Sequence, residues 1–116
     1  MVTHREKETK DEPEYSLQAV HRLAGFRQIH YAGTRVQRHV ANLGYNLDDV
    51  GQLLGTITPD DFQHSERYLD HPNWHDVYFL RHPVVADPAE RLYIKFRLRN
   101  DCLYVDLCSF HPEGWL

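Results

Sequence analysis

The sequence predicts an α+β domain in which short N-terminal helices pack on a small, mainly antiparallel sheet ending in a C-terminal strand meander. Between Ser16 and Ser65 apolar residues recur at helical spacing, interrupted by capping and stop signals. From Trp74 the period changes to two, in "WHDVYFLRHPVV", "RLYIKFRLR" and "CLYVDLCSF". Helices first and strands last separate the two kinds of structure along the chain, which excludes an alternating α/β order.

Each element has its own local signal. Residues 1–12 are charged and lack apolar periodicity, so they predict a disordered arm, with a single domain over 13–116. Ser16 caps a helix whose Leu17, Val20, Leu23 and Ala24 share a face, and Gly25 offers a stop. "RQIHYA" reads as a short edge strand. Thr34 caps a second helix through Val36, Val40 and Leu43 to Gly44. Asn46 caps a third through Leu47, Val50, Leu53 and Leu54 to Gly55. Thr58, Pro59 and Asp61 mark the start of a fourth, running to about Ser65. The Asp87-Pro88 region supplies one turn between strands, and Asn100-Asp101 a two-residue hairpin turn.

A chain of 116 residues can bury a core without staples. Its formal charge of -4 argues against a nucleic-acid partner, because phosphate binders usually carry a basic excess. That sign is local, however. From Arg91 to His111 four basic residues face only Asp101 and Asp106. Cys102 and Cys108 lie about 20 Å apart along one predicted strand, too far to bridge, and fit a reduced cytoplasmic protein. The charged N-terminus and the lack of a long apolar run predict neither signal peptide nor membrane anchor.

The last hairpin carries the chemistry. With Asn100 and Asp101 as the loop, Arg99 lies opposite Cys102, Arg97 opposite Tyr104, Lys95 opposite Asp106 and Tyr93 opposite Cys108. Leu98 then meets Leu103, Phe96 meets Val105 and Ile94 meets Leu107 on the other side. One face is oily. The other holds Tyr93, Lys95, Arg97, Tyr104 and Asp106, either as a solvated face with a Lys95–Asp106 ion pair or as a surface for an RNA strand, with cations for phosphate and rings for bases.

The order "PEYSLQAVHRL", "LGYNLDDVGQLLGTITPDDFQHS", "WHDVY" and "LYIKFRLRNDCLYVDLCSFH" covers Pro13 to His111 and resembles the MqsR family of bacterial toxins, the toxin half of type II toxin–antitoxin pairs. The resemblance implies a RelE-like fold, a ribosome-independent endoribonuclease acting on messenger RNA, and a cognate antitoxin that binds DNA and represses the operon. Tyr93 matches the family's active-site tyrosine and Lys95 the lysine two residues on. The family's lysine in the "DF..S" helix falls on His64, the glutamine before "DVY" on His75, and the lysine after the terminal "SF" on His111. All three departures are to histidine, which means either lost activity or a site moved toward imidazole acid–base chemistry.

RNA cleavage without a metal needs a base for the 2′-hydroxyl, an acid for the 5′-oxygen and positive donors around the phosphorane. His64 and His75 are the candidate base and acid in either order. Lys95 and Arg97 supply phosphate charge, Tyr93 positions or donates, and Arg99 and Tyr104 extend the RNA-binding face. His111 completes the catalytic set, although strand parity turns it toward the core unless a bulge near Phe110 intervenes. Each has a plain structural alternative: His64 on a wet helix face, His75 exposed beside Trp74, Tyr93 packed over Lys95, Arg97 stacked on Tyr104. His71, His75, Asp70 and Asp76 raise metal binding, but Pro72 breaks the helical spacing it requires, so neither metal nor cofactor is expected. His82 reads as loop and both cysteines as small strand residues. The expected products carry 2′,3′-cyclic phosphate and 5′-hydroxyl ends. A catalytically silent RNA- or protein-binding module of the same fold is the alternative function. Strand edges and the basic face are the candidate antitoxin surfaces.

Overall fold

The computed structural model describes residues 6–81, 91–99 and 103–114. His82, Cys102 and the proposed turns at Asp87-Pro88 and Asn100-Asp101 lie outside the described residues. The elements in order are β1 (Lys7–Lys10), α1 (Leu17–Gly25), β2 (Ile29–Tyr31), α2 (Thr34–Asn42), α3 (Leu47–Leu54), a single 3-10 turn (Pro59–Asp61), β3 (Phe62–Tyr68), β4 (His75–Arg81), β5 (Arg91–Arg99) and β6 (Tyr104–Pro112). One six-stranded sheet has the order β1-β3-β4-β5-β6-β2, antiparallel throughout except for the parallel β2–β6 pair. The α+β class and the C-terminal meander are therefore as the sequence predicts. No helix among the described residues is long and apolar enough to cross a membrane.

Three helix caps follow local chemistry. Ser16 accepts a hydrogen bond from Ala19 N, and Asn46 and Asp49 form a reciprocal capping box at α3. Gly44, at φ 79°, closes α2 with Gly44 N donating to Ala41 O and Tyr45 N to Val40 O. Two expectations shift by a residue or two. Gly33, not Thr34, is the N-cap of α2, and no side chain caps it. The left-handed position ending α1 is Arg27 at φ 58°, not Gly25. The cost of about 1 kcal/mol for a side chain in that region is offset by the guanidinium, whose Nη1 donates to Ala24 O at 2.8 Å and Nε to Asp48 Oδ1 at 3.0 Å.

The arm and the fourth helix are corrected more substantially. Residues 7–10, expected to be disordered, form β1 on the edge of the sheet, opposite Tyr68 to Ser65 of β3. Their charges do not prevent pairing, because the strand is bordered by opposite signs: Arg67 pairs with Glu8, and Lys7 Nζ lies 3.4 Å from Glu66. Thr58 and Asp61 cap one turn only. Phe62 onward is strand, since this stretch finds ladder partners on both sides, in β1 and β4.

Asp76 anchors the entry to the domain. It is fully buried on the helix side of β4, and its two carboxylate oxygens each accept one backbone N–H, from Glu14 and Tyr15, at 3.0 Å. Burial raises its pKa, against the lowering effect of those two bonds. Asp76→Asn keeps one acceptor and turns an amide NH2 toward a backbone donor. It should cost about 1–3 kcal/mol in urea denaturation and speed hydrogen exchange of the β1 amides.

The core lies between the helices and one face of the sheet. Leu92, Ile94, Phe96 and Leu98 of β5, Val105, Leu107 and Phe110 of β6, and Tyr78 and Leu80 of β4 meet Val20, Leu23, Val36, Val40, Val50 and Leu54. Tyr78 and Phe96 stack at 5.5 Å. The hairpin register differs from expectation. Arg99 pairs with Tyr104, Arg97 with Asp106, Leu98 with Val105 and Phe96 with Leu107. Four residues, 100–103, therefore connect the strands instead of two, and Leu103 is exposed rather than opposite Leu98. A shift of two residues leaves the side chains of 96–99 and 104–107 on their predicted faces, which is why the oily and cationic faces are unchanged there.

Candidate active site

Two bulges build the polar face of the sheet. In β6 the register slips between Lys95 and Phe96, so that Phe96 opposes Leu107 but Lys95 opposes Ser109 and Tyr93 opposes His111. Leu107 and Phe110, three residues apart, both reach the core, and His111 is turned out beside Tyr93. The bulge that His111 requires thus exists, at Cys108 rather than at Phe110. A second slip, between Phe62 and His64 in β3, sets Phe62 opposite Tyr78 on the core side and His64 opposite Val77 on the polar side. Without it His64 would follow Phe62 inward.

All five expected catalytic residues, His64, His75, Tyr93, Lys95 and His111, consequently share one face. They form two groups joined by Lys95. On the β3–β4 side Glu66, only 4% exposed, is the centre. His64 Nε2 donates to Glu66 Oε1 at 2.9 Å, Lys95 Nζ lies 3.7 Å from Oε2, and His75 sits directly opposite Glu66 in the ladder. Burial alone would raise the Glu66 pKa, but the His64 hydrogen bond and the charges of Lys95, Lys7 and His64 bring it below the usual carboxylate range. The His75 pKa also falls, but here through burial: with Lys95, Arg97 and His71 nearby, its imidazole is pushed down to about 4, against an opposing pull from Glu66. Its ring is neutral at pH 7.

On the β6 side Tyr93 and His111 stack at 5.3 Å with their planes 15° apart. His111 Nδ1 donates to Pro112 O at 2.8 Å, leaving Nε2 as the basic nitrogen of the neutral ring. Burial lowers the His111 pKa, aided by His39, Arg35 and Lys95 and opposed by the Pro112 hydrogen bond. Burial, with Glu66 and Tyr68, pushes the Tyr93 hydroxyl up to about 12, so it holds its proton at neutral pH. Three strand spacings, about 14 Å, separate the ladder positions of Ser109 and His64, with Lys95 between them.

The remaining cations answer a different need. Asp106, 2% exposed, accepts from Arg97 Nε at 3.0 Å and His30 Nδ1 at 2.8 Å, with Arg99 Nη1 at 3.8 Å. The cross-strand ion pair is thus Arg97–Asp106, not Lys95–Asp106. Tyr104 meets His30 edge-on at 5.8 Å and stands opposite Arg99. Arg97, Arg99 and Tyr104 border the site, but part of their charge is spent on one carboxylate. Asp106 is expected on this face as an ion-pair partner, though of Lys95, whereas nothing in the sequence around Glu66 marks it as a buried anchor.

Two further features bear on chemistry. Burial pushes the Cys108 thiol up to about 11, leaving it a poor nucleophile. His71 and His75 rings lie 5.6 Å apart, and among the described residues no group of three His, Cys, Asp or Glu side chains is placed to hold a metal. A cavity of about 660 Å³ between α3, the 3-10 turn and β4 is lined by no histidine or lysine. Its carboxylates serve as caps, Asp49 to Asn46 N and Asp61 to Thr58 N. A second cavity, beside His111, is lined by Tyr93, Lys95 and His111 among others.

Fold and face together define a small α+β domain with an imidazole-rich, cationic sheet surface over buried carboxylates. The sequence pattern of one family, described as "Motility quorum-sensing regulator, toxin of MqsA", matches residues 12–112. The chain belongs to this MqsR toxin family, and is thereby a toxin of a toxin–antitoxin system with an antitoxin as partner. No curated protein matches the sequence.

Proposed function

We propose that the protein is a metal-independent, sequence-selective endoribonuclease that cuts messenger RNA in the cytoplasm, arrests growth, and is neutralised by a DNA-binding antitoxin. The observation that supports this reading best is the meeting of His64, His75, Tyr93, Lys95 and His111 on one face, with Lys95 between two imidazole groups. The scissile phosphate sits over Lys95. Neutral His75 takes the proton of the 2′-hydroxyl as its oxygen bonds to phosphorus, and His64 delivers a proton to the departing 5′-oxygen as the P–O5′ bond breaks. Glu66 orients His64 and offsets the imidazolium charge, as a carboxylate does beside a catalytic histidine. Tyr93, fixed by its stack on His111, donates to a phosphoryl oxygen. Products carry 2′,3′-cyclic phosphate and 5′-hydroxyl ends.

The test is cleavage of a defined single-stranded RNA by purified protein in excess chelator, with end mapping. Wild type should cut and leave cyclic phosphate, and Tyr93→Phe should cut about 10- to 100-fold more slowly through loss of one donor to developing charge. Failure of folded wild type to cut mixed-sequence RNA would replace this reading with a silent RNA- or protein-binding module. In cells, induction should arrest growth and coexpressed antitoxin should restore it.

A further inference from the structure

Helix α2 contributes a wall to the site that neither the sequence nor the family match assigns. A cavity of about 410 Å³, within the roughly 300–1,000 Å³ range of small-ligand sites, lies between α2 and the bulged stretch of β6. Arg35 and His39 come from α2, Tyr93 and Lys95 from β5, and Ser109 and His111 from β6, with Val36 and Cys108 completing the lining. No lining residue is acidic, although the chain as a whole is. The two carboxylates of the polar face, Glu66 and Asp106, are not among them.

The arrangement is specific. His39 is 7% exposed and meets His111 edge-on at 5.0 Å. Arg35 is exposed at the rim, one turn before His39, and forms no ion pair among the described residues. Arg97, by contrast, has its Nε committed to Asp106. The β6 bulge also removes a regular ladder partner here and leaves the Ser109 side chain facing Lys95.

We infer that this cavity is a second phosphate subsite, which takes the RNA phosphate adjoining the scissile one, with Arg35 as the positioning residue and Ser109 as a further donor. The inference rests on the nuclease reading for the identity of the scissile position, but not for the binding of a phosphate. Lys95 touches both subsites, and neighbouring phosphates of one strand then bridge α2 and the β3–β4 histidines. A guanidinium suits this role because it presents several donors in a fixed plane to phosphate oxygens.

Two measurements on the full chain test it. In the first, adenosine 3′,5′-bisphosphate is titrated into the protein and the ring resonances of His39 and His111 are followed by NMR. They should shift in wild type, with affinity at least about tenfold weaker in Arg35→Gln and partly recovered in Arg35→Lys. In the second, steady-state cleavage by Arg35→Gln should show KM raised about tenfold or more with kcat within about twofold. An RNA carrying a neutral methylphosphonate at the adjoining position should lose that sensitivity to Arg35.

Absence of bisphosphate shifts, or equal affinity in wild type and Arg35→Gln, overturns the subsite even if RNA is cut normally. Arg35-dependent bisphosphate binding without any RNA cleavage upholds the phosphate site and removes the nuclease reading instead. A fall in kcat at unchanged KM would also reject the positioning role, because a residue holding a remote phosphate acts on binding of the strand.

Discussion

Replacing Lys95 by alanine should lower RNA cleavage by about 100- to 1,000-fold, the scale on which loss of one preorganised donor to a transition-state anion is felt. Among the cations of the polar face Lys95 alone stands between the two imidazole groups, and its contact with Glu66, at 3.7 Å, is looser than that of Arg97 with Asp106 at 3.0 Å. A loosely held ammonium can turn to a phosphate at small cost. Lys95→Arg should recover part of the rate, whereas Arg97→Ala should act mainly through exposure of Asp106 and show a larger loss of stability. Cleavage by Lys95→Ala at the wild-type rate, in protein that melts normally, would remove the proposed centre of the site.

His75→Ala should be comparably damaging, by about 100- to 10,000-fold for loss of a general base, and should also alter the pH profile. Two ordinary imidazoles would confine activity to a bell between about pH 5 and 8. Burial and the nearby Lys95, Arg97 and His71 instead put the His75 pKa at about 4, so the acid limb should fall near pH 4 and leave activity intact at pH 5 to 6. The sign for stability is the same. Because the folded pKa lies below the ordinary 6.5, the contribution of neutral His75 to folding is present above about 6.5 and is lost as pH falls toward 4. Circular dichroism at each pH separates loss of base from loss of fold. A half-maximal rate at pH 6 to 6.5 in fully folded protein would show that His75 is not the base.

Much of this architecture is legible in the chain because its signals are local. Asn46 with Asp49, Ser16 with Ala19, and the strict alternation of β5 each act within a few residues, and each is found where expected. What the sequence conceals is set by partners distant along the chain. Thr58-Pro59-Asp61 reads as a helix start and completes its capping box, yet the following residues are claimed by β1 and β4. The arm reads as disordered because its compensation, Arg67 and Glu66, lies some sixty residues away. For the site, Tyr93 and Lys95 follow from alternation and His75 from the family resemblance, but Glu66 follows from neither, since a glutamate in a strand carries no mark of burial. Arg35 and His39 were hidden behind Val36 and Val40, whose spacing correctly marks the core face of α2 and says nothing of its margin.

Each of the two strand irregularities carries one residue more than the ladder needs. Removing Cys108 would place Leu107 next to Ser109 in a regular ladder, with Phe110 still inward and Ser109 and His111 still outward, and removing Gln63 would do the same for Phe62 and His64. Deletion of Cys108 or Gln63 should therefore keep the fold and both faces, whereas deletion of one residue from the regular part of β5 would reverse the faces on one side of it. Substitution of Cys108 or Gln63 by another small or polar residue should be borne easily. Evolution of this scaffold is thus free to change the letters at both places and even to drop one.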